Sequence, residues 1–218
     1  MIDRAQEPTT VGRLPVPADV EGLIFDCDGT LTDSMPAHYA AWRATLDRYH
    51  IPFPEAKFYS FAGVTSVRIV ERLAAEHAAT LDAERVAREK EDAFLAHLDQ
   101  LKAHDDVVAL ARRWHGRPMA VASGGVRDVI DAQLARIGIE GLFEVIVTSE
   151  DTTEHKPDPA PFLLAAERIG VDPARCLVLE DGDPGIEAAR RAKMRVLDVR
   201  EFVGGGPAEA GAGRRSPD

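Results

Sequence analysis

The sequence predicts an α/β fold: a parallel sheet covered by helices on both faces, with a helical domain inserted after the first strand. Three observations lead there. Short apolar runs alternate with amphipathic helical segments, a pattern that calls for a parallel sheet buried on both sides. Residues 35–101 interrupt that alternation and hold no strand candidate. The chain has 218 residues, longer than one average domain and shorter than two, which suits one domain with an insertion.

Residues 1–18 (MIDRAQEPTTVGRLPVPA) are polar, proline-bearing and without period, so they read as a loose lead-in. The first strand is placed at 20–26 (VEGLIFD), and further strands at 119–123 (MAVAS), 143–148 (FEVIVT), 176–180 (CLVLE) and 196–199 (VLDV). Runs this short could be pieces of helix, but their turn-rich flanks favour strands. Residues 106–114, 126–137, 160–169 and 184–192 repeat apolar positions at three- and four-residue spacing, as core-facing helices do. The same period fills MPAHYAAWRATLDRY, TSVRIVERLAAEHA and DAERVAREKEDAFLAHLDQL. Residues 34–101 are therefore expected to form an inserted helical cap, and residues 1–33 and 102–203 a discontinuous core. From Gly204 the run GGGPAEAGAGRRSPD has the composition of a disordered tail.

Hydrophobic residues make up 45% of the chain and charged ones 29%, ordinary for a soluble globular protein. Lys plus Arg is 26 and Asp plus Glu is 37, a net charge of −11, which argues against nucleic acid or an anionic membrane as partner. An anionic small substrate stays open, since a metal ion or one buried lysine reverses the local sign. No apolar run approaches the ~20 residues of a membrane helix. With no signal pattern at the N-terminus either, a cytoplasmic monomer is expected. Cys27 and Cys176 show no CxxC spacing and read as reduced core thiols.

The chemistry concentrates where the strand candidates end. Asp26-Cys27-Asp28-Gly29-Thr30 closes the first; strand period sends Asp26 and Asp28 to one side, past the carboxyl edge where open α/β sheets bind ligands. Two converging carboxylates need a cation between them, or one must be protonated. A second acidic pair, Glu180-Asp181, closes CLVLE. Oxygen donors with little His or Cys nearby suit Mg²⁺. Ser123-Gly124-Gly125 opens a helix with a hydroxyl and backbone amides, a phosphate cradle that needs no charge. Lys156, before Pro157, sits on a loop of restricted geometry from which its ammonium could reach the same edge. Taken singly these are an ordinary turn, a capping cluster, a turn and a surface lysine.

Together, in this order, the four features resemble the haloacid-dehalogenase-like superfamily of phosphohydrolases, over residues 20–200. The resemblance implies a Rossmann-like core with a helical cap. It makes Asp26 the nucleophile that takes up the phosphoryl group and Asp28 the general acid/base. Mg²⁺ would be held by Asp26, the main-chain carbonyl of Asp28, and Asp181, with Glu180 as ligand or close support. Ser123 and Lys156 would bind phosphoryl oxygens, and Gly124 would belong to their cradle. Within the superfamily the insertion is similar to that of the β-phosphoglucomutase-like subgroup. His38, Gly63 and Lys90 fall on that subgroup's substrate-facing positions, with Arg68 a possible further contact. Trp42 shares a helix face with His38 and reads first as core.

The likeness runs closest to phosphatases of fructose-1-phosphate or 6-phosphogluconate, through SVRIVERL, AREK, WHGRPMAV and EDGDPGIEAARRAKMRVLDVR. The alternative is a β-phosphoglucomutase exchanging β-glucose-1-phosphate and glucose-6-phosphate, which must grip a second phosphate. At three positions where the mutase pattern has cations, this chain has Ala62, Ser66 and Val126, each a lost charge-assisted hydrogen bond. Hydrolysis of a monophosphate is therefore expected. A non-catalytic phosphate binder is the remaining reading, against which all four motifs stand intact. Residues 32–36 and 102–105 are expected to hinge the cap so that closure excludes water.

Overall fold

The computed structural model describes residues 9–11, 14–61 and 63–203 of the chain. Five parallel strands form the central sheet: β3 (Gly22–Phe25), β4 (Met119–Ala122), β5 (Val145–Val147), β6 (Cys176–Glu180) and β7 (Arg195–Asp198), in the order β5-β4-β3-β6-β7. β3, β4 and β6 are buried along their whole length, which is why they read as unbroken apolar runs and not as alternations. Leu23 and Phe25 turn to one face and meet α5 (Asp105–Trp114) and α6 (Arg127–Arg136). Ile24 turns to the other, against Phe162, Ala165 and Ala166 of α7 (Ala160–Ile169) and the alanines of α8 (Asp183–Arg191). The chain leaves β3 toward β4 and β5, then returns to pair β6 on the opposite edge of β3. That reversal opens a crevice at the carboxyl end of β3.

Between β3 and α5 the chain is helical, as its periodicity predicts: α1 (Met35–Asp47), α2 (Glu55–Tyr59), α3 (Ser66–Glu76) and α4 (Ala83–Leu95). Trp42, Leu46, Phe53, Phe58, Ile69, Leu73 and Val86 give this block a core of its own. A smaller cluster of Ala41, Phe94, Leu101 and Val129 joins it to the sheet domain. The five-residue helix α2 has no counterpart in the sequence reading, being too short to show a period. The two connecting segments lie against each other: Asp33 N–H donates to Lys102 O (2.9 Å) and His104 N–H to Leu31 O (3.0 Å).

The lead-in departs from expectation. β1 (Thr9–Val11) and β2 (Leu14–Val16) pair as an antiparallel hairpin against α5, with Leu14 and Val16 buried in the main core. Three-residue strands, one holding Pro15 on its edge, are too short to register as a pattern. The tail from Gly204 lies outside the described residues, as does Ala62. Cys27 and Cys176 are free and buried. Among the described residues no helix is long and apolar enough to cross a membrane.

Candidate active site

Asp26 leaves the end of β3 with its N–H tied to Leu179 O of β6 (2.9 Å), and it is buried. Lys156 Nζ donates to Asp26 Oδ1 (2.5 Å) and to Glu180 Oε2 (2.7 Å), so two buried carboxylates share one buried ammonium. Glu180 Oε1 accepts in turn from the N–H groups of Asp181 (3.1 Å) and Gly182 (2.9 Å). Burial alone would push the lysine down. The attraction of Asp26 and Glu180 outweighs it and holds Lys156 protonated, above its ordinary range.

The balance of charge is negative. Burial, and after it the neighbouring Glu180, raise Asp26 well above the usual carboxylate range despite Lys156. The same causes push Asp181 up to about 7. Oxygens of Asp26, Glu180 and Asp181 lie within 4.8 Å of one another. Three hard oxygen donors, crowded enough that they resist ionising together, fit a small divalent cation such as Mg²⁺. Thr30 Oγ1 donates to Asp181 Oδ1 (2.9 Å) and orients it. Gly29 makes this approach possible: its φ is +86°, and a Cβ there would stand 2.2 Å from Asp181 Oδ2.

Asp28 shares the crevice with Asp26 but has partners of its own. Its Oδ1 accepts from Ser34 Oγ (2.7 Å), His38 Nε2 (2.7 Å) and Gln133 Nε2 (2.8 Å). Burial would raise Asp28, but His38 and these hydrogen bonds prevail and hold it well below the carboxylate range. The two aspartates that the strand period sends together are thus separated electrically, Asp26 by lysine and Asp28 by histidine. Asp28's carboxylate is not part of the acidic trio. This agrees with the expectation that any contact of Asp28 with a metal is made by its main-chain carbonyl.

Ser123, at the end of β4, accepts through Oγ from Gly125 N–H (3.1 Å) at the start of the turn into α6. Gly124 touches the helical block: a Cβ on it would lie 2.7 Å from Gly63 O. Across the crevice, Lys90 Nζ lies 2.7 Å from His38 Nδ1. An ammonium only donates, so Nδ1 accepts and Nε2–H points to Asp28. Phe94 stacks on the His38 ring at 3.8 Å, and Lys90 rides over the Trp42 and Phe94 rings.

With this geometry in hand, the similarities are informative. Residues 20–193 match the haloacid dehalogenase-like hydrolases. The chain belongs to that family. It is 39% identical over 180 residues to fructose-1-phosphate phosphatase YqaB of Escherichia coli (strain K12), covering 82% of this chain and 96% of that protein. Hexitol phosphatase A of the same organism is 31% identical over 183 residues, 82% of each chain. The crystal structure of β-phosphoglucomutase from Clostridium difficile superposes with a TM-score of 0.72 at 24% identity, over 81% of this chain and 83% of that one, a likeness of fold. The chain is a phosphoric monoester hydrolase.

In this hydrolase Asp26, Asp28, His38, Gly63, Lys90, Ser123 and Gly124 all line one cavity of about 60 Å³ between sheet and block. Lys156 and Glu180 are linked to it through Asp26, and Asp181 lines a neighbouring cavity of about 400 Å³ with Gly29, Asp33 and Pro36. Arg68 is not brought in: its guanidinium pairs with Glu71 one turn away (3.0 Å) and is exposed. Its helical position turns it outward, where a charged side chain pays no desolvation. Three residues of the site escape the sequence reading, Ser34, Glu91 and Gln133, while Ser66 figures there only as the place of a missing cation. Gln133, fully buried in α6, also accepts from Thr32 Oγ1 (2.8 Å). A glutamine on the apolar face of a helix was its one visible signal.

Proposed function

We propose that this hydrolase is a Mg²⁺-dependent phosphatase of a small sugar phosphate, a hexose phosphate such as fructose-1-phosphate or 6-phosphogluconate. It works as a monomer in the cytoplasm, through an aspartyl-phosphate on Asp26. The observation that carries the reading is the buried Lys156 ammonium bonded to Asp26 and Glu180 at once. It sets a buried positive charge against a strand-end carboxylate that lines a cavity beside a serine and glycine amides. Resemblance to proteins named as phosphatases of fructose-1-phosphate and of hexitols supports the sugar.

An oxygen of Asp26 attacks phosphorus, and the bond from phosphorus to the sugar oxygen breaks. Asp28 delivers a proton to that departing oxygen, then takes one from the water that hydrolyses the aspartyl-phosphate. Ser34 and His38 reach Asp28 from the hinge and the block. Opening the block frees the carboxyl to take up a proton, and closing it drives that proton onto the leaving group. Ser123 Oγ and the amides after it hold phosphoryl oxygens, while Lys156 offsets part of the burial that raises Asp26, and a bound cation would supply the rest of the charge that ionises it. Asp26, Asp181 and the Asp28 carbonyl would hold Mg²⁺, which when bound would supply positive charge to offset that of the phosphoryl group.

Residues 34–101 act as a cap on the paired segments at 32–36 and 102–105. A cavity of about 60 Å³ is well short of the ~300 Å³ at which ligand pockets begin, so a hexose phosphate enters with the cap open. The test is a panel of phosphate monoesters with Mg²⁺ and with EDTA. Hexose phosphates are expected to release phosphate only with the metal, and Asp26→Asn to be slower by about ten-thousandfold or more. An Asp26→Asn protein working at the parent rate would remove the nucleophile from Asp26.

A further inference from the structure

The block side of the cavity holds a charged pair that the phosphatase reading leaves without a task. Lys90 and Glu91 are consecutive in α4, and Glu91, like Lys90, lines the cavity. Lys90 Nζ donates to His38 Nδ1 and lies 3.2 and 3.1 Å from the two Glu91 oxygens. Its ammonium is therefore committed on every side. Ser66, the first residue of α3, donates its hydroxyl to Glu91 Oε1 (2.6 Å). A helix N-terminus is where a second anionic group of a ligand would find amides and a favourable dipole. Here the protein's own Glu91 carboxylate stands at that place.

The rest of this wall is Met35, Trp42, Phe58, Phe61, Val64 and Ile69. No lysine or arginine other than Lys90 lines the cavity among the described residues, and Arg68 is turned outward on Glu71. A ligand's second phosphate or carboxylate in this cavity would meet the Glu91 charge, with Lys90 already engaged by His38 and Glu91; Arg88 lines the adjoining cavity on the far side of Ser66 and Glu91. A hydroxyl would find Glu91 as acceptor and Ser66 as donor or acceptor beside apolar walls, the usual setting for a sugar or polyol.

We infer that Glu91, oriented by Ser66 and Lys90, selects phosphate esters whose leaving group is uncharged and hydroxylated, and rejects those bearing a second anion. This rests on the phosphatase reading and narrows it to neutral sugar and polyol monophosphates, against 6-phosphogluconate, phosphoglycolate-like acids and bisphosphates.

One matched pair tests it. Glucitol 6-phosphate and 6-phosphogluconate differ only in a terminal CH₂OH against a carboxylate. The wild-type enzyme with Mg²⁺ is expected to favour the glucitol ester in kcat/KM by roughly tenfold or more, since like charges brought together cost over 1.4 kcal/mol. Glu91→Gln is expected to shrink that ratio by raising turnover of the gluconate. Equal use of both esters by the wild type, or a ratio that Glu91→Gln leaves unchanged, overturns the inference. p-Nitrophenyl phosphate separates the two levels: if it and both esters resist hydrolysis, the phosphatase reading has failed. The same pair is then titrated calorimetrically into Mg²⁺-loaded Asp26→Asn protein. Tenfold tighter binding of the glucitol ester sustains the selectivity, and equal binding refutes it.

Discussion

The two walls of the cavity are built on different principles. On the sheet side, Asp26, Ser123 and Asp181 each sit at or just beyond the end of a buried parallel strand, with Lys156 on a loop of the same domain. Strand pairing brings those ends together whatever the loops do. On the block side, His38, Lys90 and Glu91 depend on the rotation of α1 and α4 and on rings such as Trp42 and Phe94 that carry an ammonium. The sheet wall serves charge placement, and the block wall adjusts it. Removing a residue from the first should cost chemistry and folding together; removing one from the second should shift rate, pH profile or selectivity more than stability.

The largest effect is expected from Lys156→Met. It leaves Asp26 and Glu180 buried without their shared cation, and breaking a buried pair in this way costs about 3–5 kcal/mol. Urea unfolding of metal-free protein should show that loss, and Mg²⁺ should recover part of it. Turnover should fall by on the order of a thousandfold, as when a preorganised charge is lost at a transferring phosphoryl group. A stable, active Lys156→Met enzyme would erase the distinction between the walls.

His38→Ala addresses the block wall. Asp28 would lose one of the three hydrogen bonds its carboxylate accepts, so its carboxyl should rise and the acid limb of the pH–rate profile should move up. Turnover should drop by about a hundredfold, the scale of a misplaced general acid. The lost stacking on Phe94 should cost only about 0.5–1.5 kcal/mol. A residue that merely packed would lower stability and leave the pH profile where it was.

The same contrast explains what the sequence could convey. The sheet-side residues were legible because each follows an apolar run and belongs to a type with narrow chemical uses. The resemblance already put Lys156 beside Asp26, but only the fold shows that Asp28 goes to His38 and Gln133. Glu91 was hidden inside AREKEDAF among other charges, and helix rotation alone separates a cavity carboxylate from a solvated one. Arg68 failed for the same reason in reverse. The hairpin of β1 and β2 was lost because three-residue strands carry no period.

A moderate effect should appear when metal is removed. In metal-free protein Asp181 is pushed up to about 7 and Asp26 is raised as well, whereas the unfolded chain ionises near ~3.9. The folded state then holds protons the unfolded chain has released, so stability falls as pH rises from about 4 to 7. Asp28 is lowered; its contribution is complete above ~3.9 and lost only below it, so it does not oppose the trend in this window. With EDTA, the thermal midpoint should be higher at pH 5 than at pH 7.5 by at least the roughly 2–4 °C that one kcal/mol represents in a chain of this size. Mg²⁺ should raise the midpoint more at pH 7.5 than at pH 5. A midpoint flat across this range without metal would mean that Asp26 and Asp181 ionise freely.

The smallest effect should come from Gln133, which belongs to the sheet domain but acts on the residue that the block controls. Its amide joins Asp28 to Thr32 in the segment that leads into the block. Gln133→Met keeps most of the volume and removes one of three hydrogen bonds to Asp28, while Thr32 Oγ1 retains Cys27 O at 3.2 Å. The expected change is about tenfold in kcat with an upward shift of the acid limb, since a hydrogen bond to a charged group is worth about 1.5–3 kcal/mol. Gln133→Glu exchanges the donor for a like charge against Asp28 and should move the limb further the same way. Combined with His38→Ala, Gln133→Met should be non-additive, because both act through one carboxylate. Additive losses in the double variant would mean that Gln133 works through Thr32 and the hinge, and that the two walls are coupled mechanically and not through the charge on Asp28.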